Sequence, residues 1–172
     1  YFEFLDGSGN TIGEPLPIYT GLGAVEPLIV EDFNGDGIAD VVASNPSAGL
    51  VWLMTMDSAH NEVSKVAIVS GLPGFRATAS GDYDEDLNST KDLLLQNKAT
   101  GVVGILEFDI AMAVEKIQVL GAGFSDWDAI DLADVDGDGD ADIFWNYSNA
   151  KYSFVQLINP SRTIPDQVKF FT

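Results

Sequence analysis

The 172-residue chain has no cysteine, a single histidine and only eight basic residues. Without cysteine there is no disulfide framework and no thiolate metal site. His60 stands alone in a polar turn between Asp57 and Glu62, so neither a nucleophilic triad nor a histidine-ligated zinc site can be assembled. The scarcity of lysine and arginine argues against nucleic acid as a partner, because phosphate binding needs a basic surface. No apolar run approaches the roughly 20 residues that a membrane-spanning helix requires. Helical patterning is also missing. The nearest case, Asp109 to Gln118, reads in register with its neighbours as a hairpin turn and the start of a strand. Tyr1 opens directly into a strand-like segment with no signal-peptide pattern, so a secreted form would be a mature or excised portion.

What the chain has in excess is acid. Its 27 acidic residues against eight basic ones give a net charge of −19. Such a surface calls for bound cations, or for a salty medium that screens it. Hydrophobic residues still make up 46% and glycines number 17, a composition that suits a packed core and many short strands joined by turns.

The acid is periodic. Asp32, Asp82 and Asp134 each open a similar stretch, with spacings of 50 and 52 residues. This is the period of propeller blades. Around each acidic loop the order is the same. An apolar stretch precedes it (Pro27 to Val30, Ala77 to Ala79, Ala129 to Leu132) and another follows (Val41 to Ala43, Leu93 to Leu95, Ile143 to Trp145). A third (Leu50 to Met54, Val102 to Phe108, Tyr152 to Ile158) and a fourth (Lys65 to Val69, Glu115 to Leu120, Gln167 to Phe171) come after polar turns. The expected fold is all-β: β-propeller blades, each a four-stranded antiparallel sheet. Tyr1 to Asp6 and Pro15 to Thr20 read as the last two strands of a further blade. The reading is about three and a half blades: a half blade over 1–23 and whole blades over 24–71, 72–123 and 124–172. Such a count leaves open flanks, so the protein is expected either to be an excerpt of a longer propeller or to self-associate through open blade edges.

The loops have metal-ligand spacing. In the first, Asp32, Asn34, Asp36 and Asp40 put oxygen-bearing side chains at positions 1, 3, 5 and 9, and the Ile38 carbonyl supplies position 7. In the third, Asp134, Asp136, Asp138 and Asp142 fill the corresponding positions, and Asp140 supplies its carbonyl with its carboxylate pointing outward. Calcium takes 6 to 8 oxygens, and magnesium's stricter octahedron suits such a loop less well. The second loop is degenerate: Asp82, Asp84 and Asp86 keep their places, while Glu85 and Leu87 replace glycines and two extra residues delay Asp92. Two Ca2+ sites are therefore expected, with a third candidate in the second loop. Position 12, which an EF-hand fills with glutamate before a helix, is Ala43 or Trp145 inside a strand-like run.

The segments DFNGDGIADVV, DVDGDGDADIFW and, more weakly, DYDEDLNSTKDLLL resemble the FG-GAP / VCBS repeat family. The resemblance implies a propeller with calcium held between the first and second strands of a blade, as in integrin α-subunit heads. It also implies an extracellular or cell-surface setting. The expected role is a calcium-stabilised module for adhesion or assembly, with another protein or a glycan as partner. The alternatives are a self-assembling filament subunit and a carbohydrate-binding, lectin-like module. An enzyme is not expected, since metal-ligand spacing already accounts for the clustered carboxylates. Trp52 and Trp145 are expected between blades, and Trp127 is the candidate ligand contact. Asn88 and Asn146 head N-x-[ST] glycosylation acceptors.

Overall fold

The computed structural model describes residues 2–5, 8, 10–16, 25–59, 61–84, 90–147, 149, 152–158 and 168–171. Among them there is no helix. The strands are β1 (Phe2–Leu5), β2 (Thr11–Leu16), β3 (Glu26–Glu31), β4 (Asp40–Asn45), β5 (Leu50–Met56), β6 (Glu62–Val69) and β7 (Phe75–Gly81). They continue with β8 (Asp92–Asn97), β9 (Val102–Phe108), β10 (Val114–Gly121), β11 (Trp127–Ala133), β12 (Asp142–Tyr147), β13 (Ser153–Gln156) and β14 (Val168–Phe171). β3 to β6, β7 to β10 and β11 to β14 form three four-stranded antiparallel meanders in sequence order, and β1 pairs with β2. The apolar pattern places the second strand at Pro15 to Thr20. The structure starts it at Thr11, because Leu5 pairs directly with Thr11 and the turn length, not the apolar run, fixes hairpin register.

Each meander carries the same irregularity. The pairing of its first two strands skips one residue, between Glu26 and Leu28, Ala77 and Ala79, and Ala129 and Asp131. Such bulges bend a strand and steepen its twist. They also tolerate residues that a ladder would not, and the skipped residue of β3 is Pro27, which has no N–H to give.

The middle strands of the second sheet are apolar on both faces because sheets lie on both sides of them. One buried cluster joins the first and second sheets through Phe33, Val42, Leu53, Leu93, Leu106 and Phe108. Another joins the second and third through Tyr83, Leu94, Ile105, Ile143, Trp145 and Phe154. β7 lies against both β3 and β11, so the first strands of the sheets stand side by side around a common axis. Hydrogen bonds reinforce the stacking at equivalent places. The Ala77 N–H donates to Ser44 Oγ at 2.9 Å, while Gln96 accepts from the Ala129 N–H at 3.3 Å and donates to the Trp127 carbonyl at 2.7 Å.

Glycines at the β4–β5 and β8–β9 turns let the next connection pass close by. A Cβ on Gly101, whose φ is +69°, would lie 2.5 to 2.9 Å from backbone atoms of Gly123, Phe124 and Ser125. Gly123, with φ +90°, has nothing within 4 Å of such a Cβ. Gly101→Ala is therefore expected to cost about 3 kcal/mol in urea unfolding, and Gly123→Ala about 1 kcal/mol, since only the first adds a backbone collision to left-handed strain.

Candidate metal loops

In the loops between the first and second strands, the acidic groups fold over their own backbone. In the first loop, Asp32 accepts N–H groups from Asp36 at 3.1 Å and Gly37 at 2.7 Å. Asn34 Oδ1 accepts from Asp36 at 2.9 Å, and Asp36 Oδ1 from Ile38 at 2.8 Å. The third loop repeats this pattern. Asp134 accepts from Gly137 at 2.7 Å and Gly139 at 3.3 Å, Asp136 from Asp138 at 3.2 Å, and Asp138 from Asp140 at 3.1 Å. The winding requires left-handed backbone at Gly35, Gly37, Gly137 and Gly139, with φ between 73° and 101°.

Two sets of three carboxylates converge among the described residues: Asp82, Asp84 and Asp92, and Asp134, Asp136 and Asp138, each with oxygens mutually within 4.8 Å. Asp92 reaches its set although two extra residues separate it from Asp82. The donors are all oxygen, and like charges this close repel unless a cation lies between them. Such a donor set fits a hard divalent ion and not zinc. The first loop presents Asp32, Asn34 and Asp36, so its set is one carboxylate poorer. Asp86 and Asn88 lie outside the described residues.

The acids that close the loops do something that spacing alone did not reveal. Asp40, Asp92 and Asp142 are buried, and each carboxylate accepts two backbone N–H groups. Asp40 takes Phe33 at 3.2 Å and Met56 at 3.0 Å. Asp92 takes Tyr83 at 2.8 Å and Phe108 at 3.0 Å, and Asp142 takes Val135 at 3.0 Å and Ile158 at 2.9 Å. The second strand's first residue thus ties the acidic loop to the end of the third strand or, in the third sheet, to Ile158 two residues past it. The sequence holds a signal for this: the partner at or just past the third strand's end lies 16 residues after the aspartate in each four-stranded sheet.

Burial raises the carboxyls of Asp40 and Asp142 above the usual carboxylate range, against the opposing pull of those N–H groups. For Asp92 burial, assisted by the charges of Asp84 and Glu107, pushes it up to about 7. A raised native pKa means that the folded protein holds protons the unfolded one has released. Stability is then greatest below the normal carboxylate range and is lost as pH rises toward 7. In EDTA, the melting temperature is expected to fall between pH 5 and pH 8 by roughly 5 °C or more. Saturating calcium should flatten that slope by favouring the ionised loops.

Other residues singled out by the sequence fall as follows. Ile38 is half-buried beside the first loop. The Asp140 carboxylate does not point outward: the residue is buried at 6% exposure, two residues before β12 begins. Trp145 is buried and Trp52 partly so. The Trp127 ring is half-buried, 4.7 Å from Tyr147 and 4.6 Å from Phe154 between centroids. Asn146 is exposed. Beside the loops a cleft of about 550 Å³ opens between first strands, lined among others by Glu31, Ser80, Asp82, Lys91, Asp131 and Asp134. Glu31 accepts a hydrogen bond from the Ser80 hydroxyl across it.

Repeated antiparallel four-stranded sheets, stacked by their first strands and opened by acidic loops, define a class of blade-built β protein. Within it, residues 28–54 match the family model of the FG-GAP repeat, which takes in the first acidic loop and the strands on either side. FG-GAP repeats form β-propeller blades, and the four-stranded antiparallel sheets have the build of such blades. No curated protein and no solved structure matches this sequence.

Proposed function

We propose that the protein is a calcium-stabilised β-propeller module of an extracellular or cell-surface assembly, serving adhesion or assembly by binding another protein or a glycan, with no catalysis of its own. The observation that carries the calcium reading is the convergence of Asp134, Asp136 and Asp138 within 4.8 Å in a loop of oxygen donors only. The ion would be held in the third loop by these three, in the second by Asp82, Asp84 and Asp92, and in the first by Asp32, Asn34 and Asp36. There it would supply charge neutralisation and a cross-link between neighbouring strands. FG-GAP repeats often bind calcium, and proteins carrying them are typically extracellular. A structural staple is a better reading than a sensor, because no helix pair stands ready to open on binding. Adhesion or assembly is supported by apolar residues left exposed on the outer strands: Val63 and Val66 on β6, and Ile117 and Val119 on β10.

Calorimetric titration tests the metal reading. Calcium is expected to bind to the chelator-treated protein, magnesium to compete weakly, and Asp134→Ala to remove one binding event while leaving the others. Absence of calcium heat in the native protein overturns it.

A further inference from the structure

Four of the acidic-loop steps join an Asn or Asp to a glycine: Asn34–Gly35, Asp36–Gly37, Asp136–Gly137 and Asp138–Gly139. In three of them the glycine N–H is held. Gly37 donates to Asp32, and Gly137 and Gly139 both donate to Asp134. The Gly35 N–H has no acceptor among the described residues. Asn34 is also the one asparagine of nine that glycine follows. Gly35 is exposed, and the pair lies in an irregular bend outside any strand. The amide oxygen of Asn34 meanwhile accepts the Asp36 N–H at 2.9 Å. That bond polarises the amide carbonyl of Asn34 in the sense that an oxyanion donor does.

We propose that Asn34–Gly35 is a site of spontaneous intramolecular deamidation, and that it acts in the cation-free loop. The Gly35 nitrogen forms a bond to Asn34 Cγ, and the Cγ–Nδ2 bond of Asn34 breaks. Ammonia leaves carrying the proton that Gly35 gave up, and a five-membered cyclic imide remains. Water then opens the imide at either carbonyl, giving aspartate or isoaspartate, with no oxidant or reductant involved. Glycine favours the attack because no Cβ screens its nitrogen and its backbone moves freely.

The two products have opposite consequences. Aspartate converts the loop's Asp–Asn–Asp set into the all-carboxylate set that the third loop has in Asp134, Asp136 and Asp138. Isoaspartate inserts a methylene into the backbone and breaks the alternate-residue spacing on which convergence depends. A cation held by the loop also draws electrons from the Asn34 amide, but it fixes the loop backbone and so opposes the rearrangement that brings the Gly35 nitrogen onto Asn34 Cγ. The first loop would thus record, irreversibly, the time it has spent without metal. This protective role rests on the proposed calcium reading; the cyclisation itself does not.

The test incubates the folded protein at mildly alkaline pH in H2(18)O, with EDTA in one arm and saturating calcium in the other. Peptide mapping follows each asparagine, and circular dichroism verifies the fold. In EDTA, Asn34 is expected to convert before any other asparagine and to take up the heavy oxygen. Conversion of another asparagine first, or an Asn34 that survives while the unfolded protein reacts, overturns the proposal. At free calcium a hundredfold above its dissociation constant, the cation-free loop is about a hundredfold less populated, and the rate should fall accordingly. An unchanged rate, where calorimetry shows calcium bound, overturns the protection. No binding by calorimetry sinks the metal reading instead, and the EDTA arm still decides the cyclisation. Asn34→Gln keeps an amide but forms the larger ring slowly, and is expected to stay intact. Asn34→Asp supplies the aspartate product and should bind calcium at least as tightly as the parent.

Discussion

Asp142→Ala is expected to lower the unfolding free energy of the cation-free protein by about 4 kcal/mol, and its melting temperature by roughly 10 °C. The residue is buried, and its two oxygens accept the N–H groups of Val135 and Ile158. Alanine leaves two buried donors without partners, and each such loss costs about 1–3 kcal/mol. The same holds for Asp40→Ala, which strands Phe33 and Met56. Asp142→Asn should fall between, because an amide offers one accepting oxygen and turns an NH2 toward the other donor. The control is Asp134→Ala, whose carboxylate accepts two N–H groups in an exposed loop where water can replace it. It should cost no more than about 1 kcal/mol without metal. Urea unfolding in EDTA checks both. Equal losses for Asp142→Ala and Asp134→Ala would show that the buried carboxylates are not structural anchors.

The second large effect is that of calcium. A ligand that binds only the folded state stabilises it by about 2.7 kcal/mol per site at a hundredfold excess over its dissociation constant. Two sites then raise the melting temperature by roughly 10–20 °C over the chelated protein. Simple screening of the −19 charge is the competing cause. Sodium chloride separates the two. At matched ionic strength it weakens repulsion between exposed acids but does not draw three carboxylates together. Calcium at millimolar level should therefore raise the melting temperature far more than the matching salt. In Asp134→Ala one site's share of that gain should vanish. A melting curve that chelator leaves in place, or that salt shifts as far as calcium does, excludes specific metal sites.

The blades were legible because their signals are local. Alternating oxygens with intervening glycines mark the loops, and short apolar runs between polar turns mark the strands. The recurrence at Asp32, Asp82 and Asp134 gives the period. The start of β2 was not legible, because hairpin register depends on how the turn closes. The anchoring by Asp40, Asp92 and Asp142 was hidden for a related reason. Spacing within a loop cannot tell a carboxylate that faces an ion from one that faces a strand end brought in from 16 residues away. The burial of Asp140 was hidden in the same way.

By itself, then, the sequence determined the all-β character, the repeat and the oxygen chemistry of the loops. These follow from residue type and short-range spacing, which act whatever the remainder of the protein does. The tertiary structure alone decided which carboxylates converge, which are buried as anchors, and that the Gly35 N–H finds no acceptor among the described residues. Those outcomes depend on which strand ends and neighbouring sheets meet in space, and on the burial that only their meeting creates.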